Sequence, residues 1–365
     1  MHADTIQSTR SAILNRLEMA KLCRILGKDP WVIEANDAYR CARQPCVSVI
    51  ITLFNYSEYI EECLDSVCAS KTDELPSEFE ILIVDDCSTD RSAFIAEKYL
   101  HNHPQIPIAL VKKQFNTGLA DARNVGLHVA RAPYAFILDA DNWIYPNCLS
   151  VLYRAIHESN YAAVYGTINK FDNLTREGAG LVSCYEWDAR ELIRGPYIDA
   201  MAMVDREIVL SVGGYSTELL QLGWFGWEDY DLWLKLAEAH HSCKLVPQIL
   251  SAYRVHLTSM LNTTNQYTLT LAKYFLRKFS GLLREYDDLD RFFGFARQTL
   301  QQPQPQAPSS LPAEQVNAIA PQVEQLNAEL QQARERIAAM ETSKFWQLRK
   351  RWFRIKRALG LPDNE

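Results

Sequence analysis

The sequence predicts an α/β protein built on a doubly wound, mostly parallel sheet. Three observations carry this. Between residues 47 and 140, short runs rich in Val, Ile and Leu alternate with segments of helical spacing. The runs are apolar on both faces, as strands covered by helices on both sides must be. Each run ends in polar residues, and in an open parallel sheet such ends fall along one edge, where ligands bind.

The elements follow in order. Residues 5–40 have helical spacing, with Ile13, Leu14, Leu17, Leu22, Ile25 and Leu26 mostly on one face and Gly27 and Pro30 as a stop. They are expected to form a helical extension, 1–45, packed on the main domain. Strands are expected at 47–53, 81–84, 108–111 and 134–138, with helices near 58–70, 91–100 and 119–130. From 150 to 260 the pattern is mixed. Gly213-Gly214-Tyr215 reads as a turn, and 230–238 as a helix with Leu232, Trp233, Leu236 and Ala237 inward. Residues 266–300 look helical and close a domain spanning 46–300.

Beyond it lies a linker, 301–312, with four prolines in twelve residues. From Val316 to Met340, apolar residues alternate at spacings of three and four, a short heptad seam within 313–342. Weak homodimerisation through 316–340 and an amphipathic helix lying on another surface are equally good readings of so short a seam. The tail, 343–365, joins Trp346, Trp352, Phe345 and Phe353 to a run of basic residues. That mixture suits an in-plane helix on an anionic membrane better than one docked on the acidic body or on RNA.

Composition narrows the classes. The 365 residues are 48% hydrophobic and 23% charged, which excludes a wholly disordered, collagenous or membrane-dominated chain. Residues 343–361 hold seven Lys/Arg and no acid, so the net charge of −7, less the tail's +7, leaves −14 on the remainder. An acidic body argues against a nucleic-acid partner. Nine cysteines without a CxxC pair read as reduced thiols of a cytosolic chain. No apolar run suits a signal peptide, and none reaches the roughly 18–20 residues of a membrane span. A cytoplasmic location is expected, peripheral on the membrane's cytoplasmic face if the tail binds there. The sequons at Asn173 and Asn262 are read as chance.

Chemistry concentrates at the strand ends. Asp139-Ala140-Asp141 follows an apolar run, and residues i and i+2 of an extended segment point the same way. Two such carboxylates repel unless a cation joins them, and oxygen ligands select a hard ion, Mg²⁺ or Mn²⁺. Asp85-Asp86-Cys87-Ser88 follows another run in the same way, and Trp227-Glu228-Asp229-Tyr230-Asp231 opens a helix.

Together, VSVIITLFNYSEYIEECLDSV, EILIVDDCSTD, NTGLADARNVGL, YAFILDADNWIYP, GGY and GWEDYDLWLKLAE resemble family 2 glycosyltransferases of the GT-A fold over roughly 46–260. The resemblance implies metal-dependent, inverting transfer of a sugar from a nucleotide diphosphate donor, as in polysaccharide biosynthesis. It implies that Thr52, Phe54, Asn55, Glu58, Asp85 and Asp86 lie near the nucleoside, and that Asn116, Gly118, Arg123 and Ala140 lie near the donor. Asp139 and Asp141 match the family's DXD metal motif, and His256 matches a histidine that completes the metal shell in some members. A core histidine is an equal reading of His256. Arg254 offers a fixed charge to the departing diphosphate. Glu228 and Asp229 match the base motif, with Asp229 the expected base, and a helix N-terminus favours either as an anion. Trp224, Phe225 and Trp227 offer an acceptor a stacking face, or belong to the core. Cys87 stands where the family more often has glycine, which leaves the local turn open.

The acceptor is expected to be a glycan or lipid-linked glycan. A sugar nucleotidyltransferase is the enzymatic alternative, but it normally has a Gly-rich basic phosphate loop after the first strand, and Leu53-Phe54-Asn55-Tyr56 offers none. The non-catalytic alternative is a membrane-tethered scaffold that only binds nucleotide-sugar.

Overall fold

The computed structural model describes residues 2–70, 75–222, 226–256 and 267–301. The linker beyond 301, the heptad segment, the basic tail, Trp224 and Phe225 lie outside the described residues.

The chain opens with helix α1, His2–Ile25, followed by strand β1, Trp31–Ala35, and the short helix α2, Asp37–Cys41. Then come β2 (Val47–Leu53), α3 (Ile60–Cys68), β3 (Phe79–Asp85), α4 (Ser92–Asn102), β4 (Ile108–Lys113), α5 (Leu119–Val129) and β5 (Tyr134–Asp139). Next are β6 (Trp143–Ile144), α6 (Cys148–His157), β7 (Ala163–Asp172), β8 (Gly178–Val182), α7 (Ala189–Arg194), β9 (Ala202–Asp205) and α8 (Arg206–Ser211). Helix α9 (Glu228–Glu238) and the long strand β10 (Cys243–Val255) complete the sheet, and helices Thr268–Lys278 and Ser280–Arg284 pack beyond it.

Sheet order is β1-β4-β3-β2-β5-β9-β7-β10-β6, with β8 on β7. Strands β4, β3, β2 and β5 run parallel, and β7 is parallel to β10. This is the expected mixed, mostly parallel α/β arrangement. Alternate residues feed two cores. Ile50, Leu82, Val84 and Ile137 pack on one face beneath α5 and α9, while Val49, Ile51, Ile83 and Leu138 pack on the other beneath α3, α4 and α6. Gly126 on α5 permits close approach to the sheet, since a Cβ there would sit 2.3 Å from Ile50 Cγ2.

The expected helical extension is only partly helical. Trp31–Ala35 is instead an edge strand, antiparallel to β4 with Trp31 opposite Lys113. Trp31 is buried while Val32 and Ile33 are exposed, so this strand has no clean period to read. Helix α1 buries Ile13 and Leu17 against Leu220, but Leu22, Ile25 and Leu26 are exposed. Residues 1–301 form one compact unit, so the extension does not stand apart from the domain. The helical stretch expected over 266–300 is also broken, by a hairpin pairing Arg291–Phe292 with Phe295–Ala296.

The register brings the site together. Thr52 lies opposite Asp139, and Leu53 opposite Asp85. The carboxylates therefore line the C-terminal edge of adjacent parallel strands.

Candidate active site

At the centre lies Arg123 of α5, which is 2% exposed. Its Nη2 donates to both oxygens of Asp139, at 2.9 and 3.1 Å, and its Nη1 to Glu228 Oε1 at 2.9 Å. Thr52 Oγ1 donates to Asp139 Oδ1 at 2.9 Å. One guanidinium thus ties the end of β5 to the start of α9, and its bond to Glu228 spans 105 residues of sequence.

Asp139, Arg123, Glu228 and Asp229 line one cavity of about 290 Å³. Lys170, Tyr197, Trp227 and Tyr253 complete much of its wall, and so does Asp199, which no sequence motif singles out. Burial, with Asp139 and Asp141 nearby, pushes Asp199 up to about 6, although it accepts a hydrogen bond from Met201 N–H. Asp199 sits in a loop before β9 with no flanking motif, so only the fold reveals its place.

Asp229 departs from the expectation that a helix N-terminus would favour its anion. Burial, then the charges of Glu228 and Asp199, push it up to about 8, outweighing Arg123 and the Tyr230 N–H. A partial helix charge does not offset desolvation plus two like charges. Trp227 just before α9 has a left-handed backbone (φ 62°) and stacks on Phe275 at 5.7 Å. It therefore belongs to the core and to the cavity wall together. Asp231 is fully buried and pairs with Lys278 at 2.5 Å, which locks α9 in place.

The expected metal trio separates into two groups. Asp139 has both oxygens held by Arg123. Asp141 Oδ2 lies 2.9 Å from His256 Nε2, beside the rings of Tyr56 and Tyr59. Burial, together with Asp139, raises the Asp141 carboxyl against the pull of His256. Among the described residues no group of three candidate ligands gathers at metal spacing. A carboxylate and an imidazole side by side still fit a hard divalent ion, which takes its remaining ligands from water and substrate phosphate.

Arg254 is 2% exposed and turned into protein. Its Nε donates to the Asp141 carbonyl at 2.7 Å, Nη1 to Asn173 Oδ1 at 2.6 Å and Nη2 to Glu62 Oε2 at 2.5 Å. It lies over the Tyr59 ring at 4.5 Å. This geometry makes it a support for Asp141 rather than the open phosphate contact expected from the sequence.

At the nucleoside end, Asn55 (φ 57°) bridges two loops by accepting from Thr89 N–H at 2.8 Å, while Phe54 and Glu58 are exposed. Asp85 accepts from Ser88 N–H at 3.3 Å, and burial raises its carboxyl. Asp86 points inward, accepting from Thr117 and Gly118 N–H at 3.0 and 2.9 Å and pairing with Lys113 at 2.6 Å. Cys87 adopts φ 61°, the left-handed conformation that glycine tolerates, so the turn survives the substitution at some strain. Asn116 Oδ1 is buried without a hydrogen-bond partner. Ala140 is fully buried, and its N–H donates to the Thr52 carbonyl.

The carboxylate-lined cleft thus lies at the strand ends of a mixed α/β sheet, the edge where sheets of this kind bind ligands. Residues 48–208, under half of the chain, match the family model "Glycosyl transferase family 2". An uncharacterized glycosyltransferase of Haemophilus influenzae is 28% identical over 53% of this chain and 62% of its own length. Chondroitin synthase of Escherichia coli is 28% identical over 54% of this chain and 27% of its own. The chain thus spans under two thirds of each of these relatives. Crystal structures of S. aureus TarS 1–349 share the fold. The complex with UDP-GlcNAc superposes with a TM-score of 0.51 at 19% identity, over 69% of this chain and 74% of that one. This likeness establishes the GT-A architecture.

Proposed function

We propose that this protein transfers a sugar from a nucleotide diphosphate donor to a hydroxyl of a glycan or lipid-linked glycan, with inversion at the anomeric carbon. The observation that carries the reading is the meeting of Asp139, Arg123, Glu228 and Asp229 on one cavity at the strand ends. The family's glycosyltransferases and the nucleotide-sugar complex of TarS support it.

Asp229 accepts the acceptor's proton as its oxygen bonds to the anomeric carbon. The bond from that carbon to the phosphate oxygen breaks, and its electron pair leaves with the diphosphate. Displacement from the face opposite the leaving group inverts the centre. Because Asp229 is pushed up to about 8, its ionised form is the minority at neutral pH, and the rate rises as pH passes through that region. Arg123 has two roles: it holds Asp139 and Glu228 apart from each other's charge, and it lowers the proton affinity of Asp229. Asp141 and His256 would hold Mg²⁺ or Mn²⁺, which as a Lewis acid stabilises charge on the departing diphosphate. Arg254 fixes Asp141 through its carbonyl.

The rim of the cavity suits a sugar. Tyr197, Trp227 and Tyr253 put aromatic side chains on the cavity wall beside the carboxylates. The basic tail, 343–361, would bring the enzyme to a cytoplasmic leaflet where lipid-linked glycans are assembled, and 316–340 would add a weak dimer contact. Deleting 343–365 should then abolish binding to anionic vesicles; unchanged binding removes the tail from the proposal.

The test is a screen of UDP- and GDP-sugars with Mn²⁺. Release of nucleoside diphosphate supports glycosyl transfer. Release of pyrophosphate would identify a nucleotidyltransferase, and tight nucleotide binding without turnover a scaffold.

A further inference from the structure

The segment before residue 48 lies outside the family match, yet one of its side chains pairs with a carboxylate in the first turn of α5, just after the 116–118 loop. Lys113, 5% exposed, lies 2.6 Å from Asp86 and 2.9 Å from Asp121, and it also bonds the Thr117 hydroxyl. Two carboxylates and one ammonium leave a buried negative charge uncompensated. Arg24 of α1 supplies the second cation: its Nη2 lies 3.0 Å from Asp121 Oδ1, and its guanidinium covers the Trp31 ring at 5.2 Å.

This neutral cluster shapes the loop after β4. Asp86 accepts the N–H groups of Thr117 and Gly118, and the Thr117 hydroxyl donates to Asp121 at 2.5 Å. Gly118 takes φ 91°, a bend that few other residues tolerate. The loop carries Asn116, whose buried Oδ1 has no hydrogen-bond partner. A buried acceptor left unmatched is costly, and it marks where a ligand's donor group fits.

We infer that Arg24 is a positioning residue for nucleotide binding, acting through Asp121 and Lys113 to hold Asp86 and the 116–118 loop in the shape that receives a nucleoside diphosphate. The inference rests on the function proposed above. Without Arg24, Asp86 and Asp121 share one ammonium, and the excess negative charge loosens the backbone they hold. The effect falls on binding, because Arg24 lines no part of the cavity that holds Asp229.

The experiment titrates the full chain with UDP and with GDP, in the presence of Mn²⁺, by calorimetry. It compares the wild type with Arg24→Gln, Arg24→Lys and Lys21→Gln, an exposed position on the same helix. Arg24→Gln should weaken nucleotide binding about fivefold and raise the donor KM by a similar factor, with kcat within about twofold of wild type. Arg24→Lys should recover much of the loss, and Lys21→Gln should bind as wild type does. Equal binding by Arg24→Gln, or a fall in kcat at constant KM, overturns the inference alone. If the wild type binds neither nucleotide, the proposed function falls with it. Should Arg24→Gln not fold, Arg24→Met, which removes the charge but keeps an apolar stem beside Trp31, carries the comparison: a rise in KM at constant kcat supports the positioning role, and an unchanged KM refutes it.

Discussion

Replacing Arg123 by glutamine removes the cation on which two carboxylates depend. Arg123 gives three charge-assisted hydrogen bonds, two to Asp139 and one to Glu228, between 2.9 and 3.1 Å. Its side chain is 2% exposed, against 23% for Asp139 and 10% for Glu228. Glu228 is nearly buried and Asp139 only partly exposed, so water replaces the guanidinium incompletely. Breaking a buried pair by deleting one partner costs about 3–5 kcal/mol, since the remaining charge stays desolvated. For a unit of this size, at about 2–4 °C per kcal/mol, the melting temperature should drop by about 6–20 °C. There is a second, separable effect. Arg123 is among the charges that hold Asp229 down, so its loss should move the rising limb of the pH–rate profile to higher pH. Scanning calorimetry on Arg123→Gln, Glu228→Gln and the double variant gives the magnitude and the coupling between the two residues. A single-variant melting temperature within roughly 2 °C of wild type would refute the reasoning, since it would mean that the site is solvated enough to need no pairing.

Further outcomes follow from other contacts. Arg254→Lys should weaken the Mn²⁺ response of turnover by about tenfold, because one ammonium cannot serve the Asp141 carbonyl, Asn173 and Glu62 together; a metal titration at saturating donor measures it. Cys87→Gly should raise stability by about 0.5–1 kcal/mol by relieving a left-handed backbone, read from denaturant midpoints at constant m-value. Gly126→Ala should destabilise by about 1–3 kcal/mol, because the new methyl meets Ile50; the same denaturant series checks it.

The parallel centre of the sheet was legible because its strands are apolar on both faces. Expected strands at 47–53 and 134–138 match Val47–Leu53 and Tyr134–Asp139 closely, and the polar ends do meet at one edge. Helix α9 was legible for a related reason, since Leu232, Trp233, Leu236 and Ala237 recur at helical spacing and are buried. The antiparallel flank was not. Strand β10 carries register shifts around Pro247, and β8 is almost wholly exposed, so neither shows a clean alternation. Motif spacing pointed to Arg123, Asp139 and Glu228 separately. That the first holds the other two together depends on contacts across the fold. The same holds for Arg254, whose charge suggested phosphate while its burial commits it to Asp141, and for Asp199, an isolated acid in sequence that joins the cavity wall.

The fate of Asp229 bears most directly on the mechanism. Its raised proton affinity means that the folded state binds the proton more tightly than the unfolded chain does. Its contribution to stability therefore declines as pH climbs from the ordinary carboxylate range toward about 8. The neutral isostere Asp229→Asn should accordingly melt higher than wild type at pH 8 while the two converge near pH 4. It should still bind UDP or GDP, and its kcat should fall by about 10²–10⁴-fold. Measuring kcat for Asp229→Asn beside its nucleotide affinity decides the matter: lost turnover with affinity retained is the predicted result, and turnover within a few-fold of wild type would contradict the assignment of Asp229 as the base.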